Sequence, residues 1–346
     1  GSHGGATAEG QIEILHHLGI TEESVGAPIR SSMETLLIGK TPDGLPVYMD
    51  RHAFHADGII VVNRIKAHTA FRGKIESGLS KMVTIGLGKQ KGAHFVHSQG
   101  PEHMEYNIVQ VSKYALKHAP ICMGIAIVEN GYDQTAIIEG VDVEEWYEKE
   151  AQLLEVAKKM MPMLPLDEID VLVVEEMGKD YSGTGMDPNV IGRWRIDGVP
   201  EPAKPMIHRI VVLDLSPRSG GNANGIGLAD FTTDQLIEKI DKQATYMNAL
   251  TTGFLRRMMF PLHFSTEQET IETAIQSLGP DIDVERMIYV QIPNTLHLNR
   301  LYVSKAALQT MDELNKKYNV LREFPLAFDE QGRLRVKKSD IHASKI

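Results

Sequence analysis

Gly58-Ile-Ile-Val-Val62, running on into Asn63-Arg64-Ile-Lys66, is the stretch on which the fold turns. Four consecutive β-branched residues leave no polar face, the pattern of a strand buried inside a parallel sheet. The segment after Val62 has the opposite character. Arg64, Lys66, Arg72, Lys74, Lys81, Lys89 and Lys91 stand against one acid, Glu76, a local charge of +6 in a chain of net charge −10. Such a field concentrates an anionic ligand, and ligands of open α/β sheets gather beyond the carboxyl ends of strands. Gly73, Gly78, Gly86, Gly88 and Gly92 lace the same segment and let backbone approach a ligand closely. His52, His55, His68, His94, His97 and His103, six of the 14 histidines, crowd around it.

A charge run is more often a solvated face, and a single histidine more often structural. Their coincidence beyond a strand end favours a site with an anionic ligand, imidazoles able to hold a metal or move protons, and lysines for ionic or covalent work. Gly86-Leu-Gly-Lys89 fits neither the Walker pattern nor the dinucleotide fingerprint.

Working outward, Thr7 is placed to cap a helix that reaches about Leu18 and stops at Gly19. Residues 46–49 and 121–128 read as strands. Asp142 and Glu145 make a capping-box-like start for a helix to about Met161, whose apolar face repeats at Trp146, Leu153, Leu154, Ala157, Met160 and Met161. Pro162 and Pro165 then mark a domain crossing. Beyond it, strands are expected over 169–174, 210–215 and 288–292, and helices over 233–250 and 305–318. Residues 220–227 with Asp230 read most economically as a helix-entry loop. The alternation predicts an α/β protein of two domains, with mainly parallel sheets flanked by helices and the active site in the cleft between the domains. The expected boundaries are 1–165, 166–300 and a C-terminal segment, 301–346, that returns to the first domain.

Bulk properties narrow the class. At 346 residues, 42% apolar and 24% charged, the chain has material for two cores. The net negative charge argues against general nucleic-acid binding. No run approaches the ~18 continuous apolar residues of a membrane span. Cys122 stands alone, so no intramolecular disulfide forms, which fits a reducing cytoplasm.

The stretch His68-Thr-Ala-Phe-Arg-Gly-Lys-Ile-Glu-Ser-Gly-Leu-Ser-Lys81-Met-Val-Thr-Ile-Gly86, followed by His97, resembles the core motif of the nickel-pincer-dependent lactate racemase family. The resemblance implies a pyridinium-3-thioamide-5-thiocarboxylate mononucleotide carried covalently on Lys81, with nickel held by the pincer and by His97. It makes His68 one catalytic acid–base. Gly1-Ser2-His3 matches the family's upstream Gly-[Ser/Thr]-His turn, which makes His3 the other and reads the opening as native sequence continuing from residues that precede it. Met177-Gly178-Lys179 matches, more loosely, the loop whose lysine grips the substrate carboxylate. Lys66, Arg72 and Lys89 are the candidates for cofactor contacts, including the phosphate. The chain departs from the family in two ways: an upstream Asp/Arg-rich segment has no counterpart, and residues 73–76 lengthen the gap between His68 and Lys81.

The implied activity is a racemase or epimerase that inverts C2 of a small-molecule 2-hydroxyacid, with cofactor-biosynthesis proteins as partners. Two histidines on opposite sides suit substrates whose hydroxyl is presented differently by each enantiomer, and one imidazole beside soft sulfur donors suits nickel. Alternatives stay open: a lyase or oxidoreductase acting on anions, or a non-catalytic nickel- or nucleotide-binding protein. His94 competes with His97 as ligand, and Lys179 competes for a salt bridge with Glu175 or Glu176.

Overall fold

A computed structural model of the chain describes residues 7–337. Backbone contacts divide them into two compact units, one reaching to residue 161 and taking in 251–253, the other 162–250 and 254 onward.

In the first unit, Thr7 caps the helix Ala8–His17 as expected, its side chain accepting from the Gly10 N–H at 3.1 Å. Strands β1 (Thr35–Lys40) and β2 (Pro46–Asp50) form an antiparallel hairpin. A separate sheet holds β3 (Ile59–Arg64), β4 (Ile121–Glu129) and β5 (Thr135–Asp142), in which β3 and β4 run parallel and β5 returns antiparallel to β4. In the described residues of this half the parallel pairing is confined to β3 and β4. Asp142, read from sequence as part of a helix start, ends β5 instead. The helix begins at Trp146, with Glu145 at its N-cap and no side-chain cap bond.

The helices Leu79–Lys81, Met104–His118 and Trp146–Met160 contribute Leu79, Val111, Ala115, Trp146, Leu153 and Leu154 to the same core as Val61, Ala126 and Val141 of the sheet. The opposite face is open. Ile60 is 56% and Val62 51% exposed, and Ile138 beside Ile127 is exposed too. The run that reads as doubly buried is buried on one side only.

The second unit is a six-stranded sheet in the order β11 (Tyr302–Val303), β10 (Tyr289–Ile292), β6 (Glu168–Met177), β7 (Met206–Leu215), β8 (Phe231–Thr233) and β9 (Leu262–Phe264). All neighbours run parallel except the edge pair β10–β11. Here the apolar runs are buried on both faces: Leu172 and Val174 join one core cluster, Val171 and Val173 the other, and β7 divides likewise. Because β7 follows β6 on one side while β10 lies on its other side, the strand order reverses between β6 and β10.

Two further expectations are corrected. The helix foreseen over 233–250 is two helices, Asp234–Glu238 and Lys242–Thr252, because Asp241 interrupts it and caps the second by accepting from Ala244 N–H. The C-terminal segment, as far as it is described, does not return to the first unit. Tyr302–Val303 extends the second sheet, Ala307 and Met311 pack in its core, and Gln291 Nε2 donates to the carbonyl of Val336.

Candidate active site

The basic loop after β3 is closed by reciprocal backbone hydrogen bonds between Lys66 and Ser77. Inside it lies Glu76, the one acid of the run, with its side chain fully buried. Its carboxylate accepts the backbone N–H of His68 at 2.7 Å and that of Gly73 at 3.3 Å, and faces Lys158 Nζ at 3.0 Å and Arg72 Nη1 at 3.6 Å. Glu105 accepts the Lys74 N–H at 2.6 Å. Lys66 and Lys74 are exposed, whereas Arg72 turns back toward Glu76, and carboxylates hold the loop's backbone from within.

His68 is buried, with its ring 4.3 Å from that of Phe71. Its Nδ1 accepts the Ala70 N–H at 3.1 Å, so the neutral ring carries its proton on Nε2. Arg72 Nη1 donates to the His68 carbonyl at 2.6 Å.

Gly78 opens the helix Leu79–Lys81, which continues as a π-helical turn over Met82–Gly86, where the Leu87 N–H reaches back to the Met82 carbonyl. Such a turn inserts one residue into the helical register and re-aims the side chains beside it. Helix starts leave N–H groups without intrahelical partners. This one is capped by Glu150 of the helix Trp146–Met160, whose carboxylate accepts the Ser80 N–H at 3.1 Å and the Ser80 hydroxyl. A Cβ at Gly78 would stand 2.2 Å from Glu150 Oε1, so only glycine admits the cap. Trp146 Nε1 donates to Ser80 Oγ at 3.2 Å. Burial raises the Glu150 pKa to about 7 against these hydrogen bonds, which lower it.

Lys81 ends that first turn. Burial lowers its pKa to about 8, with the charge of Lys66 pushing the same way. His97 sits on the helix Lys89–Ser98 and falls to about 4, through burial first and the field of Lys81 next. At neutral pH its imidazole is uncharged, the form that ligates metals. His94, its rival, is exposed on the same helix. Lys89 is engaged otherwise: its Nζ lies 3.5 Å from Asp50 Oδ2 and 3.4 Å from Gln11 Oε1.

Lys81 and His97, with Lys66 and His94, are thus brought into one electrostatic neighbourhood, and His68 and Arg72 into a second network around Glu76. Among the described residues no group of three or more His, Cys, Asp or Glu is placed to hold a metal. A metal on His97 would draw its remaining donors from a bound group. The neutral imidazole, a lysine whose pKa is low enough to supply free amine, and surrounding cations fit an anionic, metal-bearing nucleotide. His3 lies outside the described residues.

Lys179 belongs to the second unit, in the loop after β6. Its Nζ donates to the Gly183 carbonyl at 2.8 Å, its N–H donates to Ser219 Oγ at 2.7 Å, and burial lowers its pKa to about 8. Glu175 accepts from Gln291 Nε2, and Glu176 from the Tyr181 hydroxyl. Asn224 Nδ2 also donates to Gly183 O, at 2.8 Å, tying the loop after β7 to that after β6. Tyr181 meets His297, from the loop after β10, edge to face at 6.0 Å. These loops cluster at the carboxyl ends of β6, β7 and β10, where the strand order reverses and such sheets bind ligands.

Reading the sequence missed Glu76 as an organiser, although its isolation among cations was the signal. It missed Glu150 too. That residue interrupts the apolar stripe of its helix, between Trp146 and Leu153, and a carboxylate on a buried stripe needs a partner.

No helix among the described residues is long and apolar enough to cross a membrane. No family model and no curated protein matches the chain. Among solved structures it is similar to the lactate racemase apoprotein from Thermoanaerobacterium thermosaccharolyticum, with 13% identity and a TM-score of 0.47 over 82% of this chain and 74% of that one. A likeness this distant carries no residue's role across.

Proposed function

We propose that the chain is a racemase or epimerase of 2-hydroxyacids that carries a nickel-pincer mononucleotide on Lys81. The juxtaposition of Lys81 with His97 in the basic, glycine-rich segment carries the reading, together with the motif from His68 to Gly86. Lys81 supplies the amine that is acylated, and His97 the imidazole that faces nickel. Lys66 and Arg72, with exposed side chains, answer the phosphate. Lys89 does so on leaving Asp50. Lys179 holds a substrate carboxylate, which keeps a 2-keto acid from escaping.

When bound, the group would supply an electrophilic acceptor for a hydride from C2 of the substrate. His68 would handle the hydroxyl proton, and the resemblance makes His3 its counterpart. With Nδ1 accepting from Ala70, the neutral His68 ring presents an N–H at Nε2 and donates a hydrogen bond to the substrate oxygen; taking up the hydroxyl proton as a base requires the other tautomer, with Nε2 free and the Ala70 contact given up. General acid–base groups of this kind contribute about 10²–10⁴-fold.

Intact-protein mass spectrometry with nickel analysis, after co-expression with cofactor-building enzymes, tests the reading. The expected result is a mononucleotide-sized adduct on Lys81 with stoichiometric nickel, absent in Lys81→Ala and retained in His68→Ala, which loses activity. An adduct that persists in Lys81→Ala would remove the assignment.

A further inference from the structure

The second unit carries another cavity, of about 530 Å³, that the proposed reaction does not use. It lies at the amino ends of β7, β8 and β9, since Arg209 is near the start of β7 and Asp230 and Pro261 immediately precede β8 and β9. The loops around Lys179 lie at the opposite ends of these strands. At ~3.3 Å per residue, the distance along β7 from Arg209 to Leu215 is roughly 20 Å, so one small ligand cannot touch both.

Three arginines, Arg195, Arg209 and Arg256, line the cavity with one carboxylate, Asp230. That carboxylate is shared by two arginines and a backbone N–H. Its Oδ2 accepts from Arg193 Nη1 at 2.7 Å and from the Ile210 N–H at 2.9 Å, leaving Oδ1 to Arg195 Nη2 at 3.3 Å. Arg195 Nε is buried with no hydrogen-bond partner among the described residues, an expensive condition for a guanidinium. Arg209 is held rigidly by neutral acceptors, Ser277 Oγ and O at 2.7 Å each and His208 O at 2.9 Å, and pairs with no carboxylate among the described residues. Arg256 pairs with Asp197, at 3.5 Å on the surface. The lining also holds apolar residues, Phe231, Met259, Phe260 and Leu262, with Met259 62% and Leu262 64% exposed.

We infer that this cavity is a binding site for a small amphipathic organic anion, a carboxylate head on an apolar body. Arg209, fixed by neutral acceptors and without a carboxylate among the described residues, provides planar recognition of a carboxylate, with Arg256 on the same lining, and Phe231, Met259, Phe260 and Leu262 take the chain. The volume is in the range of small-molecule sites.

Titration calorimetry of the full chain with sodium octanoate at constant ionic strength tests the site. Saturable binding is expected, weakened about tenfold or more in Arg209→Gln and in the surface variant Arg256→Gln. Leu262→Asp should weaken it as well, and Lys179→Ala should leave it unchanged. Circular dichroism of each variant separates lost binding from lost fold. The inference fails if octanoate does not bind, if both arginine variants bind it as the parent does, or if Lys179→Ala abolishes it. It fails equally if octanol or inorganic phosphate binds as tightly as octanoate, since either would mean that head and body are not read together.

Discussion

Burial and like charge act in the same direction on Lys81 and on His97: the charge of Lys66 makes the Lys81 proton easier to lose, and the charge of Lys81 does the same to His97. Replacing Lys81 by Met removes the charge and leaves the packing. The His97 midpoint, followed by NMR of the cofactor-free protein, should rise from about 4 toward its ordinary 6.5. A midpoint that stays put would mean that burial alone sets it. Because its folded pKa is depressed, His97 adds stability that is present above pH 6.5 and lost as pH falls toward 4. Glu150 has the opposite sign. Its folded pKa is raised, so its stabilisation is present below about pH 4.5 and disappears as pH rises through about 7. The two contributions oppose each other between pH 4.5 and 6.5. Denaturant unfolding of Glu150→Gln across that window should therefore show stability rising with pH more steeply than in the parent, since the amide has no proton to lose.

At the scale of elements, the segment that bears Lys81 is held by carboxylates that come from elsewhere in the first unit. Glu76→Ala leaves the His68 and Gly73 N–H groups without their carboxylate and takes one of several partners from Lys158 and Arg72, and removing one partner of a buried pair costs about 3–5 kcal/mol. Unfolding free energy should fall by that order. Amide exchange at His68 should accelerate while amides of β4 keep their protection. In the second unit, the interlocked loops depend on Gly225, which has φ +93° and where a Cβ would stand 1.9 Å from the Thr184 carbonyl oxygen. Gly225→Ala should cost about 2 kcal/mol or more by denaturant melting, and should disturb the Asn224–Gly183 contact that neighbours Lys179.

At the scale of the molecule, each unit has its own apolar clusters, and those of the second lie on both faces of one sheet. A domain with its own core folds alone. A chain of residues 162–346 should therefore unfold in one cooperative transition with dispersed amide resonances. A broad, non-cooperative melt would show that its sheet depends on the first unit.

Sequence by itself determined the alternation of strands and helices, the helix cap at Thr7, and the concentration of cations and histidines after β3, while the choice of Lys81 and His97 among them came from the family resemblance. These are local: propensity, capping and charge density act over a few residues. Tertiary structure decided the rest. Ile59–Arg64 and Glu168–Met177 are both apolar runs, yet one faces solvent on alternate residues and the other is enclosed, because burial depends on which helices cover the sheet. Glu150 caps the turn before Lys81 from far along the chain, Lys89 is taken by Asp50, and Arg195, Arg209 and Arg256 meet around one carboxylate. No local pattern encodes such meetings. They arise only when strand order brings distant residues within hydrogen-bonding reach, where burial then sets the worth of every charge.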